Sequence, residues 1–515
     1  MIRWLLAAMA ALPLAAAAIH QPVKVTGGSV SGAPGVDPSI MAFKGIPFAA
    51  PPVGEGRWRA PQPVTPWQGV RKADRFGASC IQNIVEVLPP WTYEFMTHNE
   101  VSEDCLFLNV WTGAKAAGEK RPVFVYIYGG GFNSGSGQVP VYDGEGLAAK
   151  GLVMVTMNYR VGVLGFLAHP ELTAESGVHA SGNYGMLDQI AALRWVRENI
   201  ARFGGDPGRV TIAGQSAGAF SVHFLTASPL AKGLFHRAIA ESGSSAATDP
   251  RADRRLAEAE ADGVKFAEAK GAHSLAGLRA SSWQKVLEPL PPALRGLSRV
   301  RPIVDGYSLE APVHEVFATG KQNDVATMTG CNKDEGGAMP NPTVTAAEFQ
   351  KQARAGFGDR ADEFLRLYPA ADDGQARASA NESARDRARV SMYLWAARRG
   401  KTAKTKAYTY FWTHPLPGPE VEKYGAFHTS EVPYALNTLS RSERPFLDED
   451  RRIAAAVSSY WVNFARAGDP NGKGLARWAP VDARHETMEL GARMGAVPVA
   501  ASEAEFRFFA DALSK

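Results

Sequence analysis

The residues best suited to chemistry lie around Ser216, in the segment Gly214-Gln215-Ser216-Ala217-Gly218. A β-branched run precedes this G-x-S-x-G pentapeptide and a helical pattern follows it, which predicts a strand, a sharp turn and a helix. Such a turn raises the serine Oγ above the sheet edge, where it can act as a nucleophile. The pentapeptide alone is weak evidence, because small-residue turns also arise by chance. Its strand and helix flanks make a nucleophilic serine the better interpretation.

A serine nucleophile needs a base that removes its proton and an acid that orients the base. Where the serine lies on this kind of turn, the acid and then the histidine follow it in the chain. His428 lies in a loop of small and aromatic residues and is one candidate base, and His414 and His485 are the other late histidines. Asp334 and Glu335 both follow an apolar strand, so either can be the acid.

Three glycines, Gly129 to Gly131, directly follow the apolar run 123–128. Backbone N–H groups in such a run can approach a substrate oxygen without side chains in the way. Together with the N–H of Ala217, they could stabilise the oxyanion that forms when a serine attacks a carbonyl. This chemistry is acyl transfer, and it requires neither a metal ion nor an organic cofactor.

Strand and helix patterns alternate along the chain and would position these residues. We predict strands at 123–128, 152–159, 209–213, 238–240, 326–330 and 407–412, and helices at 186–203 and 452–464. This alternation is typical of an α/β fold with a parallel sheet covered by helices on both faces. Ala-, Glu- and Arg-rich segments predict helical insertions near 250–300 and 345–400. Since no linker is visible, residues 19–515 are predicted to form one domain.

The bulk composition excludes several classes of protein. The chain has 515 residues, 45% of them hydrophobic and 21% charged, with a net charge of +4. Neither that charge nor any dense basic run indicates binding to nucleic acid or to an anionic membrane. No repeat or coiled-coil pattern indicates an oligomeric state.

Residues 1–18 have the pattern of a signal peptide. Arg3 precedes a short apolar stretch, and four alanines, Ala15 to Ala18, offer a cleavage site. The stretch is too short to span a bilayer comfortably, since about 20 residues are needed. We therefore expect export to the periplasm or the medium, and no stable membrane insertion after removal of the signal.

The chain has three cysteines, Cys80, Cys105 and Cys331. An oxidising compartment allows one disulfide and leaves one thiol. Cys80 and Cys105 are the favoured pair because they are closer in sequence, and Cys331, beside an apolar strand, is expected to be a buried and inert thiol.

Taken together, these features resemble the type-B carboxylesterase family, the cholinesterase-like branch of the α/β-hydrolases. The motifs that carry the resemblance are Phe43-Lys44-Gly45-Ile46-Pro47, Ser102-Glu103-Asp104-Cys105-Leu106, Phe203-Gly204-Gly205-Asp206-Pro207, Glu241-Ser242-Gly243 and Trp461-Val462-Asn463-Phe464. They span nearly the whole chain. The resemblance implies the α/β-hydrolase fold, with a large, mostly parallel central sheet.

The resemblance also implies a role for each matching residue. Ser216 would be the nucleophile, Glu335 the acid and His428 the base, and Ser242 would support the acid from behind. Gly130, Gly131 and Ala217 match the oxyanion donors, and Cys80 and Cys105 match the family's first disulfide. The implied function is hydrolysis of a small-molecule carboxylic ester through an acyl-enzyme, with a rate that falls at acid pH as the base is protonated.

This sequence departs from the family pattern at two positions. Tyr128 stands where most carboxylesterases have His, and Gln215 stands where Glu is common. Choline-binding members have a Trp ahead of the second cysteine; here that position holds Phe95, with Trp91 nearby, which argues against choline esters. Trp91, Phe95 and Phe132 are the candidate pocket residues.

Two alternatives to ester hydrolysis remain at this point. Some proteins of this fold are non-catalytic adhesion or recognition modules, and they typically lack a triad residue. The same acyl-transfer chemistry would also cleave amides, thioesters or carbonates.

Overall fold

A computed structural model describes residues 19–85, 87–243 and 253–513. The predicted signal peptide, residues 1–18, lies outside the described residues. Across the part that is described, no helix is both long and apolar enough to cross a membrane.

The strands form one large sheet and two small ones. The bounds are β1 (Val23–Val25), β2 (Gly28–Ser31), β3 (Ala33–Pro34), β4 (Met41–Pro47), β5 (Val70–Lys72), β6 (Ser79–Cys80), β7 (Val101–Ser102), β8 (Phe107–Thr112), β9 (Arg121–Ile127), β10 (Val153–Met157), β11 (Gly205–Gln215), β12 (Arg237–Glu241), β13 (Ala326–Asn332), β14 (Ala407–Trp412), β15 (Glu486–Leu490) and β16 (Gly495–Pro498). The large sheet has the order β16-β15-β14-β13-β12-β11-β9-β10-β8-β4-β3. The small sheets are β1-β2-β5 and β6-β7.

Helices separate most of the central strands. The bounds are α1 (Glu145–Ala149), α2 (Gly162–Phe166), α3 (Pro170–Glu175), α4 (Tyr184–Asn199), α5 (Ala217–Ala227), α6 (Leu256–Ala269), α7 (Leu275–Ala280), α8 (Trp283–Leu287), α9 (Val313–Ala318), α10 (Ala346–Phe357), α11 (Ala361–Leu367), α12 (Asp373–Gly400), α13 (Val421–Tyr424), α14 (Val432–Ala435), α15 (Asp448–Ala467) and α16 (Glu503–Ala512). Short 3₁₀ helices occur at Gly54–Gly56, Tyr93–Phe95, Ala117–Glu119, Pro140–Tyr142, Ile200–Phe203, Pro229–Ala231, Pro292–Ser298, Gly358–Arg360 and Leu439–Arg441.

The centre of the large sheet is parallel. Every neighbouring pair from β10 through β9, β11, β12, β13 and β14 to β15 is parallel, and antiparallel pairs are confined to the two sides. Strands β9 and β10 read as continuous apolar runs because they are buried on both faces. The predicted α/β-hydrolase fold with a mostly parallel sheet is confirmed.

The sequence-predicted elements occur where they were expected. The helix predicted at 186–203 begins at Tyr184 and continues to Phe203 as a 3₁₀ turn. Helices α6 to α8 and α10 to α12 lie within the two segments predicted as insertions. The second of these segments packs with the C-terminal helix around a separate apolar cluster that includes Phe349, Phe364 and Phe509. A single domain over residues 19–515 stays a prediction.

Candidate active site

The candidate residues gather at the carboxyl edge of the parallel strands. Ser216 follows β11, Gly129 to Gly131 follow β9, Glu335 follows β13, and His428 lies in the loop after β14. Because parallel strands all end at the same edge of a sheet, residues far apart in sequence meet there.

Ser216 occupies a sharp turn between β11 and α5. Its backbone has φ 58° and ψ −122°, a conformation that L-residues rarely adopt and that is costly unless its surroundings hold it. The Ser216 N–H donates to the carbonyl of Glu241 at 2.9 Å, and the Ser216 carbonyl accepts from Phe220 N at 3.0 Å. A Cβ at Gly218 would lie 2.0 Å from the carbonyl oxygen of Ile127. Glycine at this position therefore lets α5 lie directly against β9.

Glu335 and His428 are paired. The Glu335 Oε2 lies 2.6 Å from Nδ1 of His428, and the Glu335 Oε1 accepts from the backbone N–H of Asn332 at 2.7 Å. Asp334, the other candidate acid, instead pairs with Arg385 at 2.7 Å. Of the two adjacent carboxylates, Glu335 is the one that faces the imidazole.

The other two late histidines lie in different environments. His414 Nε2 is 2.8 Å from a carboxylate oxygen of Asp450, and His485 stacks on Phe506 with ring centroids 3.8 Å apart. Neither residue lines the pocket that contains Ser216.

Gln215 lies against the imidazole of His428. Its amide Nε2 is 3.1 Å from His428 Nε2 and 3.3 Å from Nδ1. No hydrogen bond joins the Ser216 hydroxyl to another group within the described residues. Catalytic hydrogen bonds in ligand-free sites are often long and shorten only when substrate binds. In this structure the amide of Gln215 is the hydrogen-bond partner of His428 Nε2, which is the nitrogen that would accept the proton of a serine nucleophile.

The glycine run after β9 turns sharply. Gly130 has φ 105° and Gly131 has φ 62°, values that glycine adopts without a Cβ penalty. Within the described residues, the N–H groups of Gly130, Gly131 and Ala217 have no hydrogen-bond acceptor, so all three remain available to a ligand oxygen. Tyr128 is buried and stacks on Tyr159 with centroids 4.3 Å apart.

The hydroxyl of Tyr128 donates to the carbonyl of Tyr159 at 2.8 Å, and the hydroxyl of Tyr159 donates to the carbonyl of Tyr128 at 2.9 Å. These reciprocal bonds tie the ends of β9 and β10 together below the glycine run. Tyr128, at the position where most family members have His, therefore has a structural role in this protein.

A pocket of about 350 Å³ contains Ser216 and His428. Trp91 and Phe95 line it. The indole N–H of Trp91 donates to Thr429 Oγ1 at 2.6 Å, which ties one wall of the pocket to the His428 loop.

Phe132 is a correction to the predicted pocket set, because it does not line this pocket. Phe132 directly follows the glycine run and has a φ of 63°. Its ring lies in the core and packs edge-on against Phe166, with ring centroids 5.4 Å apart.

Ser242, the residue expected to support the acid, follows β12. It has φ 53°, and its Oγ is buried without a hydrogen-bond partner. It therefore makes no hydrogen bond to Glu335 in this structure, although it follows β12, next to β13 in the sheet. Its support of the acid stays a prediction.

Cys80 and Cys105 form a disulfide, with Cα atoms 4.9 Å apart. Cys331 is a buried thiol, and burial raises its pKa well above the ordinary value, which keeps it protonated and unreactive.

Two buried carboxyl groups lie behind the site and were not singled out in the sequence. Burial raises the pKa of Glu241 to about 7, although Trp461 and Tyr126 donate to it. Burial also holds the pKa of Glu431 well above its usual range, and Asn332 Nδ2 donates to that carboxyl group. Glu241 occurs in one of the motifs that resemble the family, and Glu431 lies three residues after His428. Their closeness to the candidate site residues in sequence is the signal that could have found them.

Asn332 connects the acid to this buried layer. Its backbone N–H binds Glu335, while its side chain binds the carbonyl of Phe427 at 2.8 Å and the carboxyl group of Glu431.

In the ranges that the structure covers, no cluster of three or more His, Cys, Asp or Glu residues could hold a metal ion. The arrangement can generate and stabilise a serine nucleophile from its own side chains and backbone.

Comparison with known proteins gives a consistent picture. The model of the carboxylesterase family matches residues 20–509. A fumonisin B1 esterase of Sphingopyxis macrogoltabida is 38% identical, over 90% of this chain and 85% of its own length. A cocaine esterase of Oryctolagus cuniculus is 35% identical, over 90% of each chain. A medium-chain fatty acyl-CoA hydrolase precursor of Anas platyrhynchos is 33% identical, over 92% of this chain and 89% of its own length.

Proposed function

The chain belongs to the carboxylesterase family and is a carboxylic ester hydrolase, and we propose that it works through an acyl-enzyme formed on Ser216. In this proposal His428 is the general base and Glu335 orients it. The N–H groups of Gly130, Gly131 and Ala217 bind the oxyanion. The substrate is a small-molecule ester.

The first half-reaction transfers the acyl group to the enzyme. The proton of Ser216 moves to His428 Nε2 while Oγ bonds to the ester carbonyl carbon, and the carbonyl π pair moves onto oxygen. The oxyanion accepts hydrogen bonds from the three N–H groups, each of which is typically worth several kcal/mol in the transition state. When the C–O bond to the alcohol breaks, His428 returns its proton to the departing alkoxide.

The second half-reaction frees the acid. Water takes the place of the alcohol, His428 removes its proton, and the resulting hydroxide attacks the acyl carbon. Collapse of this second oxyanion breaks the bond to Ser216 Oγ, which recovers its proton from His428. Glu335 accepts the hydrogen bond from Nδ1 throughout and stabilises the imidazolium through this 2.6 Å contact.

Gln215 affects the first step. Because its amide lies 3.1 Å from His428 Nε2, Ser216 must replace that amide as the partner of the imidazole before proton transfer. A substrate carbonyl placed at the oxyanion site would bring its carbon next to Ser216 Oγ and favour that exchange. Glutamine carries no charge, so it supplies no attraction for a cationic substrate.

One observation supports the proposal above all others. Ser216, in a strained strand-to-helix turn, and His428 line one pocket at the carboxyl edge of the sheet. Glu335, which is distant from both in sequence, is paired with His428 there. A non-catalytic module would have no need to keep all three groups together with unpaired N–H donors.

The test is acyl-enzyme formation. We expect a burst of p-nitrophenol from p-nitrophenyl acetate, and an acetyl group on the peptide that contains Ser216 when the reaction is quenched at acid pH. Ser216→Ala should lose roughly 10³-fold or more in kcat/KM and should carry no acetyl group. Ser39→Ala, at an exposed serine away from the pocket, is the matched control. Full activity in Ser216→Ala would contradict the proposal.

We also infer that the protein is exported, to the periplasm or the medium. The disulfide between Cys80 and Cys105 supports this, because such bonds persist in oxidising compartments. Fractionation of the source cells, with mass spectrometry of the mature N-terminus, would test it. An intact Met1 in the cytosolic fraction would contradict the inference.

A further inference from the structure

Apolar side chains are concentrated on the surface of one loop. Ile84, Val85, Val87 and Leu88 have exposed fractions of 41%, 45%, 52% and 52%. We call these four residues the apolar rim. Exposed apolar side chains that lie close together in the chain often mark a site that something apolar covers.

The apolar rim is continuous with the pocket that contains Ser216. Ile84, Val85 and Leu88 line that pocket together with Trp91 and Phe95. Among the described residues of the lining, none is Asp, Glu, Lys or Arg. Along the described part of the lining, apolar side chains therefore lead from the proposed nucleophile to the surface.

The loop that carries the apolar rim is fixed to the rest of the protein by a disulfide and by hydrogen bonds. The disulfide closes the segment from Cys80 to Cys105. Leu88 and Trp91 exchange backbone hydrogen bonds at 3.1 and 2.9 Å. The indole N–H of Trp91 then ties the loop to Thr429.

We propose that the apolar rim binds a hydrocarbon chain of the ester that extends beyond the pocket at Ser216, so the enzyme prefers esters with a long unbranched chain. This proposal rests on the proposed function. The hydrocarbon chain could belong to the acyl group or to the alcohol, and the chemistry of recognition is the same in both cases. Burial of one methylene group favours binding by up to about fourfold, so several methylene groups on the rim would give a large preference.

The test compares two series of esters on the complete mature protein. One series is p-nitrophenyl esters from acetate to decanoate, and the other is alkyl acetates from ethyl to decyl, followed by acid release. Each substrate is measured both below and above the concentration at which it aggregates. We expect kcat/KM to rise by at least tenfold along one of the two series, which identifies the half of the ester that contacts the rim.

The variants are Ile84→Ser, Leu88→Ser and the double variant. We expect the double variant to lose at least tenfold in kcat/KM on the longest ester of the preferred series and less than twofold on the shortest. Val36→Ser and Leu447→Ser are matched controls, since these side chains are 79% and 67% exposed and line no part of this pocket. Neither control should change the dependence on chain length. Thermal unfolding of each variant verifies that the fold is intact.

Three results would overturn the inference. The first is a kcat/KM that does not rise along either series in the wild type. The second is an equal loss on short and long esters in the double variant. The third is a preference that appears only above the aggregation concentration, which would assign the rim to a lipid surface. In each case, hydrolysis of acetate that is lost in Ser216→Ala would leave the proposed function standing, whereas absence of any Ser216-dependent turnover would remove both.

Discussion

Replacement of Glu241 by Gln should make the stability of the protein less dependent on pH. The Glu241 side chain is fully buried, and its Oε1 accepts from the indole N–H of Trp461 at 2.6 Å. Burial raises its pKa from 4.5 to about 7. Gln fills the same space and keeps an acceptor for Trp461, but it cannot ionise.

The magnitude follows from linkage. Because the folded state holds this proton more tightly than the unfolded state, the contribution of Glu241 to stability is complete below pH 4.5 and is lost as the pH rises to about 7. At 1.36 kcal/mol for each pKa unit, the full loss is about 3 kcal/mol. Most of it falls between pH 5 and 8. Glu431 changes stability in the same direction, since burial also raises its pKa.

The assay is urea unfolding at pH 5, 6, 7 and 8, with the free energy of unfolding extrapolated to water. The difference between Glu241→Gln and the wild type should grow by about 2 to 3 kcal/mol in favour of the variant over that range. Glu443→Gln, which changes an exposed carboxylate, should run parallel to the wild type. A difference that stays constant with pH, or one that grows in the opposite direction, would refute the argument that Glu241 is protonated in the folded core.

Three further changes test other parts of the structure. Glu335→Gln should lower kcat by roughly 10² to 10⁴-fold, because the amide cannot stabilise protonated His428, and steady-state kinetics with p-nitrophenyl acetate would measure it; full activity would remove Glu335 from the mechanism. Gly218→Ala should abolish activity or folding, since its Cβ would lie 2.0 Å from a backbone carbonyl oxygen of β9; circular dichroism and the same kinetics would decide, and an active, stable variant would contradict the close approach. Cys80→Ser with Cys105→Ser should lower the free energy of unfolding by about 2 to 5 kcal/mol, measured by urea unfolding, and an unchanged value would show that the bridge adds no stability.

The fold could be predicted because its signals are local. Apolar runs at β9, β10 and β13 and helical spacing at α4 and α15 can be read from a few neighbouring residues. The order of the strands in the sheet is harder to predict from local patterns, but parallel strands joined by helices can form only a few topologies. The antiparallel strands on either side, such as β8 and β16, gave no clear signal because their pairing depends on partners distant in the chain.

Site prediction shows the same division. Ser216 could be chosen from its pentapeptide and flanks, whereas the residues alone left Asp334 and Glu335 equivalent. The family resemblance favours Glu335, and the folded chain shows the physical difference: Asp334 is paired with Arg385, and Glu335 faces His428 at 2.6 Å. One residue of displacement reverses the direction of a side chain at the end of a strand, which adjacent positions in a sequence do not reveal.

The sequence by itself therefore determined the α/β architecture and the family and indicated the candidate nucleophile segment, because each depends on short-range patterns and on characteristic motifs. The tertiary structure alone decided that Gln215 lies on the imidazole, that Phe132 turns into the core, that the Ser242 hydroxyl makes no hydrogen bond, and that the apolar rim is exposed beside the pocket. These outcomes depend on which distant segments meet at the sheet edge and on the direction in which the backbone aims each side chain there. Burial and contact are properties of the packed chain, and no single segment contains them.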